Sequence, residues 1–262
     1  MRRRDKLVDE KRWAENLGDV KQILDDAGVK YWLSYGTLLG AVRDGKFIPW
    51  DITDIDLSTM CTESYKIIAT IPEFERKGFV VNVTDTTIDF LRKPVPVDIS
   101  LLRSKGDSAW GLCLLKRSKF HRVTRYFDLL GARILYRNCP GRTKMAPREK
   151  IALALIPSSA DHLLRKFLFR LYEWLGAKYG ALVVPKSYYE NPDSISFYGM
   201  TFNIPSPVHG YLSLFYGENW RTPDPNWTLD RQYDKWGNLD YNFDIGRRED
   251  LSLLDYLTEP EK

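Results

Sequence analysis

The pattern of apolar and polar positions predicts alternating helices and strands in the first hundred residues. Apolar residues spaced by three and four predict a helix over residues 8–27, which Gly28 ends. A second helix is expected over residues 63–76. Runs rich in β-branched and aromatic residues predict strands at 29–34, 54–58, 79–83, 86–91 and 95–102. The sequence therefore predicts an α/β (α+β) fold, with a mixed sheet flanked by helices.

The pattern in the second half of the chain favours helices. It is weak from 103 to 150, where a loop is expected, and strongest over residues 160–180, where spaced leucines and Phe167 form one apolar face. A short helix is expected over residues 209–216, ended by Gly217. We therefore expect a core over residues 1–105 and a mostly helical region over residues 106–262 that completes the same unit.

Two carboxylates mark the centre of the candidate chemistry, Asp54 and Asp56. Residues two apart in a strand point to the same face, so both carboxylates project together if this stretch is a strand. Like charges held that close are unfavourable unless a cation lies between them. Oxygen ligands of this kind suit Mg2+ or Mn2+, which usually keep water and bridge to a phosphate.

A Gly-Thr turn precedes this pair and predicts a phosphate site. Gly36 allows close approach of a ligand to the backbone, and Thr37 offers a hydroxyl and an N–H at the start of a short helix over residues 38–43. Arg43 and Lys46 add positive charge one to two turns further along. Together these residues are expected to hold the phosphates of a donor.

A third carboxylate, Asp98, lies inside an apolar strand. Burial of a lone carboxylate is costly without a partner, and a neighbouring strand that carries Asp54 and Asp56 would explain it. The alternative is an edge-strand residue that faces water. If Asp98 joins the site, it either completes the metal coordination or acts as the general base toward an acceptor hydroxyl.

Composition narrows the function classes. Hydrophobic residues make up 44% and charged residues 28%, with a formal net charge of +4 and no long basic block beyond Arg2 to Arg4, so nucleic acid is not an expected partner. The three cysteines show no C-x-x-C spacing, which argues against a zinc site or a disulfide framework. No run of 18 apolar residues is present. We expect a cytoplasmic protein, unless a membrane anchor precedes this sequence.

Two motifs resemble those of the LicD family of phosphotransferases, and they occur in the order expected for that family. The first is GTLLGAVR followed by FIPWD and a D-x-D pair, where the stretch between Trp50 and Asp54 carries one residue more than the family's usual pattern. The second combines Pro207, Tyr211-Leu212, Tyr216-Gly217 and the run from Trp220 to Pro223. The resemblance spans roughly residues 29–225 and implies a nucleotidyltransferase-like fold.

The resemblance also implies an activity. Such an enzyme transfers a phospho-alcohol group, phosphocholine or a polyol phosphate, from a CDP-activated donor to a glycan or lipid-linked glycan hydroxyl in polysaccharide biosynthesis. The implied catalytic and metal-binding residues are Asp54, Asp56 and Asp98, the implied donor-binding residues are Gly36, Thr37, Arg43 and Lys46, and the candidate substrate residues are His209, Tyr216 and Trp220. The implied location is the cytoplasm, at the inner membrane surface, or the Golgi lumen if an anchor precedes the sequence.

Three alternatives remain open at this point. The same fold serves nucleotidyltransferases that use an NTP donor and release pyrophosphate. The additional residue before Asp54 is compatible with a catalytically inactive glycan- or nucleotide-binding module. The helix over residues 160–180 carries basic residues beside its apolar face, so it makes either core contacts or a peripheral membrane contact.

Overall fold

The computed structural model describes residues 3–50, 53–116, 134, 154, 156–176, 178–226, 239–240 and 253–257. Up to residue 116 its elements are α1 (Arg3–Asp26), β1 (Tyr31–Leu33), α2 (Tyr35–Arg43), β2 (Ile55–Met60), a 3-10 turn (Cys61–Glu63), α3 (Ser64–Ala69), α4 (Ile71–Arg76), β3 (Val80–Val83), β4 (Thr87–Leu91), β5 (Val97–Lys105) and β6 (Ser108–Lys116). Beyond residue 156 they are α5 (Asp161–Trp174), β7 (Lys178–Pro185), α6 (Ser187–Glu190), β8 (Asp193–Phe197), β9 (Met200–Ile204), α7 (Val208–Tyr216) and β10 (Leu239–Asp240), with 3-10 turns at Ser158–Ala160 and Leu253–Tyr256.

The central sheet is mixed, and β5 is the strand around which it is built. β2 pairs with β5 in parallel, whereas β1 pairs with β2, and β4 and β6 pair with β5, in antiparallel fashion. β3 extends the sheet beside β4, while β7 and β10 extend it beyond β6. β8 and β9 form a separate hairpin. The predicted mixed sheet with flanking helices is confirmed.

One face of the central strands forms the apolar core. The fully buried residues on this face are Ile55, Leu57, Ile88, Phe90, Val97 and Ile99. Phe74 of α4 stacks on Phe90 with ring centroids 4.0 Å apart, and Leu17 and Leu24 of α1 are also fully buried. Because side chains alternate along a strand, the residues between these apolar positions emerge on the opposite face of the sheet.

Two predicted helices are shorter in the structure. The helix expected over residues 63–76 is two helices, α3 and α4, because Pro72 in the first turn of α4 has no N–H with which to continue α3. The helix expected over residues 160–180 ends at Trp174, and Gly176, with a φ of 91°, turns the chain toward β7.

The second half of the chain contains strands as well as the expected helices. β6 lies within the stretch from 103 to 150 where a loop was expected, and it pairs with β5 across the turn at Gly106 and Asp107. The expected division at residue 105 therefore falls inside a hairpin, and that division stays a prediction. None of the described helices combines the length and the hydropathy needed to cross a membrane.

Gly40 in α2 provides a test of how the chain after this helix packs. A Cβ at Gly40 would lie 2.6 Å from the carbonyl oxygen of Lys46, a backbone atom that cannot move aside freely. We expect Gly40→Ala to lower the free energy of unfolding by about 2 kcal/mol, even though alanine favours a helix over glycine by about 1 kcal/mol. Urea denaturation measures this change.

Gly18→Ala in α1 is the matched control. The nearest atom there is the flexible Met200 sulfur at 3.3 Å, so the substitution should be neutral or stabilising. Equal losses of stability in both variants would contradict the importance of the backbone contact at Gly40.

Candidate active site

Three aspartates lie side by side across the central strands. Asp56 is directly opposite Asp98 in the parallel pairing of β2 with β5, and Asp89 is opposite Asp98 in the antiparallel pairing of β4 with β5. Paired residues of neighbouring strands project from the same face, which is here the face opposite the apolar core. The sheet therefore presents a row of carboxylates with Asp98 at its centre.

Asp54, the residue just before β2, also belongs to this row. Its carboxyl group lies close enough to that of Asp98 to help raise the pKa of Asp98. The hydroxyl of Thr53 donates a hydrogen bond of 2.7 Å to Asp54 Oδ1. The structure thus brings together Asp54, Asp56 and Asp98, the three carboxylates singled out in the sequence. The effect of the additional residue before Asp54 is not described, because Asp51 and Ile52 lie outside the described residues.

Asp98 is the least stabilised member of the row. Its Oδ1 atom is buried and has no hydrogen-bond partner among the described residues. Burial, followed by the negative charges of Asp89 and Asp54, raises the pKa of Asp98 to about 7. The ionised form of Asp98 is therefore unfavourable unless positive charge arrives beside it.

Asp56, by contrast, is stabilised by the start of α2. The N–H of Thr37 donates to Asp56 Oδ2 at 3.3 Å, and the Thr37 hydroxyl lies 3.5 Å from the same oxygen. The backbone N–H of Asp56 in turn donates to the Thr37 hydroxyl at 2.8 Å. Since the N-terminal end of a helix carries partial positive charge, α2 offsets the charge of Asp56. Gly36 and Thr37 thus belong to the first turn of α2 and not to a turn before it.

Tyr35 is the residue that redirects the chain from β1 into α2. Its φ of 44° lies in the left-handed region, which is uncommon for a residue other than glycine. Its ring packs edge to face on Phe215 of α7, with centroids 5.5 Å apart. Unfavourable backbone conformations of this kind concentrate at functional sites, and this one sets the direction of the first turn of α2.

The predicted donor-binding residues fall into two groups. Gly36 and Thr37 lie beside Asp56, whereas Arg43 is in the last turn of α2, about 9 Å further along the helix axis. The Arg43 guanidinium makes two hydrogen bonds to the Asp44 carboxylate, at 3.0 and 2.8 Å, and Lys46 is exposed in the following loop. The structure therefore does not bring Arg43 or Lys46 to the carboxylates, and their donor-binding role stays a prediction.

The candidate substrate residues lie on and after α7. The ring of His209 stacks on Trp220 at 5.6 Å, and Arg221 lies over the Trp220 ring at 4.3 Å and donates to His209 Nδ1 at 3.2 Å. Trp220 is buried and His209 is exposed, so His209 is the accessible member of this pair. Tyr216 directly follows Phe215, the residue that contacts Tyr35. A substrate role for these residues stays a prediction.

The carboxylate row offers the oxygen ligands expected of a Mg2+ or Mn2+ site. Its side chains are not already arranged around a metal position. Among the described residues, no group of three or more His, Cys, Asp and Glu side chains is already arranged to hold a metal ion. The buried Oδ1 of Asp98, with no partner beside two other carboxylates, is nevertheless the kind of atom that a cation satisfies. A metal with few protein ligands and several waters fits this donor set.

Asp89 was not predicted from the sequence as a site residue. Its carboxylate accepts a hydrogen bond of 2.8 Å from the Asn82 side chain on β3, which extends the polar row to a further strand. The alternation of polar and apolar residues along β4 does indicate that Asp89 lies on the polar face of the sheet. Only the register of β4 on β5 shows that it lies beside Asp98.

The part of the chain that carries this row matches a family model. Residues 28–100 match the family model described as LicD/FKTN/FKRP, nucleotidyltransferase domain. The resemblance predicted from the sequence is thus confirmed over this segment, which is shorter than the predicted 29–225. The matched segment contains β1, α2, β2 and the carboxylate residues of β4 and β5.

Individual relatives match over short segments. An uncharacterized protein of Rickettsia prowazekii is 38% identical over 64 residues, which is 24% of this chain and 24% of that protein. A second, from Rickettsia typhi, is 36% identical over 61 residues, or 23% of this chain and 19% of the relative. The human ribitol 5-phosphate transferase FKRP is 60% identical over 35 residues, or 13% of this chain and 7% of that protein. The matches therefore span a quarter or less of each relative's length.

The raised pKa of Asp98 predicts a pH-dependent stability difference. Its folded pKa of about 7 lies above the ordinary value of 3.8, so ionisation is unfavourable in the folded state. The free-energy cost of ionising Asp98 in the folded state is absent below pH 4, grows as the pH rises and is fully present above pH 7. In EDTA, Asp98→Asn should therefore exceed the wild type in unfolding free energy by on the order of 2 kcal/mol at pH 8.

Urea denaturation at several pH values measures this difference, which should disappear at pH 4. A variant that is less stable than the wild type at pH 8 would show that Asp98 is charged and compensated in the folded protein.

Thr37 provides a second test, of the contact between α2 and β2. Thr37→Val keeps the shape but removes the hydroxyl that accepts from the Asp56 N–H, and we expect a loss of about 2 kcal/mol in unfolding free energy. Thr37→Ser retains the hydroxyl and should lose much less. Chemical denaturation compares the two, and similar losses would assign the effect to packing of the Thr37 methyl group.

Proposed function

We propose that this protein is a metal-dependent transferase that moves a phospho-alcohol group from a CDP-activated donor to a glycan hydroxyl. The observation that supports this most directly is the carboxylate row of Asp54, Asp56 and Asp98 beside the N-terminal end of α2. The match of residues 28–100 to the LicD/FKTN/FKRP domain, and the similarity to a ribitol 5-phosphate transferase, support the same class of reaction.

In this proposal Asp54, Asp56 and Asp98 hold Mg2+ or Mn2+. The bound metal would supply positive charge against the donor diphosphate. The unpartnered Oδ1 of Asp98 is the atom for which such a ligand role is most favourable, because burial and two neighbouring carboxylates otherwise oppose its charge. Asp89, held by Asn82, is a neighbour of this set and adds to the negative potential around Asp98.

The first turn of α2 orients the donor. Gly36 has no side chain to shield the backbone, so a phosphate oxygen can approach its amide closely. Thr37 fixes Asp56 through its amide and hydroxyl, which holds the carboxylate in one orientation. Much of catalysis in phosphoryl-type transfer is positioning and charge neutralisation, and these contacts serve both.

The reaction is a single displacement at phosphorus. The oxygen of the acceptor hydroxyl forms a bond to the phosphorus that bears the alcohol, and the bond from that phosphorus to the CMP oxygen breaks. CMP leaves with the bonding electron pair, and the hydroxyl proton passes to a neighbouring carboxylate of the row. An NTP-dependent nucleotidyltransferase would instead release pyrophosphate.

Thermal-shift measurements with CDP-choline, CDP-glycerol, CDP-ribitol and CTP, each with Mg2+ or EDTA, test the proposal. A ligand at 100 times its dissociation constant adds about 2.7 kcal/mol to the folded state. That corresponds to a rise of about 5–10 °C in the melting temperature of a chain this size. We expect one CDP-alcohol to give this rise with Mg2+ only.

Asp54→Asn should abolish the Mg2+-dependent rise, because it removes a proposed ligand. Asp107→Asn, at an exposed position in the turn after β5, is the matched control and should keep it. For the stabilising CDP-alcohol, chromatography should detect CMP release with a glycan acceptor. Stabilisation by CTP alone with pyrophosphate release would favour the nucleotidyltransferase, and no stabilisation by any ligand would contradict a catalytic role.

A further inference from the structure

The outer face of α5 is unusually apolar for a surface helix. Leu163, Phe167 and Trp174 are 71%, 57% and 81% exposed. At 3.6 residues per turn these three side chains lie within an arc of about 40° and extend over roughly 16 Å of helix. They form one row along the helix, here called the apolar stripe. A strip of large apolar side chains on the surface marks an interaction site more often than scattered single residues do.

The inner face of α5 contains charged residues. Arg165, which is 5% exposed, forms an ion pair with Asp85, and Asp85 also accepts a hydrogen bond of 2.9 Å from the backbone N–H of Leu253. Asp161 and Leu168 are buried on the same side. A typical surface helix places its apolar face against the core and polar residues outside. α5 does pack Leu164 and Leu168 against the core, but it also carries large apolar side chains on its outer face. The ion pair and the core contacts of Leu164 and Leu168 hold this side of α5 against the protein, so the apolar stripe faces outward.

Basic residues border the apolar stripe. Arg170 is exposed at the edge of the apolar stripe and lies between Phe167 and Trp174 in sequence. Lys166 lies beyond Arg170, further from the stripe around the helix. Leucine, phenylalanine and tryptophan bordered by arginine and lysine are typical of helices that lie in the interface of a bilayer. Tryptophan is enriched at the level of the headgroups, and the exposed Arg170 complements anionic lipids.

We propose that α5 docks this protein on an anionic lipid membrane through the apolar stripe, with Arg170 at the headgroups. This contact is independent of the transfer reaction. If the transfer reaction proposed above is correct, docking brings the carboxylate site to acceptors attached to lipid.

Co-sedimentation of the full chain with phosphatidylcholine vesicles, with and without phosphatidylserine, tests the proposal. No donor or metal is needed, so the result does not depend on the transfer activity. We expect binding to the vesicles that contain phosphatidylserine, and a decrease of at least about tenfold in partitioning for the double variant Phe167→Ser/Trp174→Ser. Arg170→Gln should weaken binding about fivefold at low ionic strength and much less in high salt.

Leu91→Ser is the matched control, because Leu91 is a large apolar residue that is 42% exposed and belongs to β4 rather than to α5. It should bind vesicles as the wild type does, and the melting temperatures of all variants should match that of the wild type because each changed side chain is exposed. Absence of vesicle binding, or unchanged binding by the double variant, would overturn the proposal. So would self-association in sedimentation velocity without vesicles that the double variant abolishes, since the stripe would then join copies of this chain.

Discussion

The parallel pairing of β2 with β5 places Asp56 directly beside Asp98, and the rest of the site depends on how the fold accommodates these two carboxylates. Asp56 is stabilised by the N-terminal end of α2 through Thr37. Asp98 has no equivalent partner, and burial beside Asp89 and Asp54 raises its pKa to about 7. The row therefore combines one carboxylate whose charge is offset by the protein with one whose charge is not. That asymmetry is what makes the row a candidate for binding a cation.

The apolar face of the sheet holds this arrangement in place. Ile55 and Val97 pair one position before Asp56 and Asp98, and both are fully buried. A slip of one residue in the register would turn the aspartates into the core and the apolar residues to the surface. Burial of each large apolar side chain contributes about 1.5–3 kcal/mol, so a slipped register is strongly disfavoured. The core thus stabilises a carboxylate row that would otherwise be unfavourable.

Two contacts join the C-terminal half of the chain to the first half. Phe215 of α7 packs on Tyr35 at the start of α2, so the motif near the end of the described chain contacts the one that carries the site. On another surface, the ion pair between Arg165 and Asp85 fixes α5 against the start of β4. Both contacts join residues more than 75 positions apart, so the later helices take part in the packing of the first half of the chain.

The sequence by itself indicated the α/β class, most of the helices and strands up to residue 102, the family resemblance of residues 28–100 and the candidate pair Asp54 and Asp56, because periodicity and short motifs are local properties. It also indicated Asp98 as a costly carboxylate in an apolar strand. Only the tertiary structure decided that Asp89 lies in the row beside Asp98 and that α5 exposes Leu163, Phe167 and Trp174. Strand register and helix orientation depend on contacts between residues distant in sequence, which a local pattern does not contain.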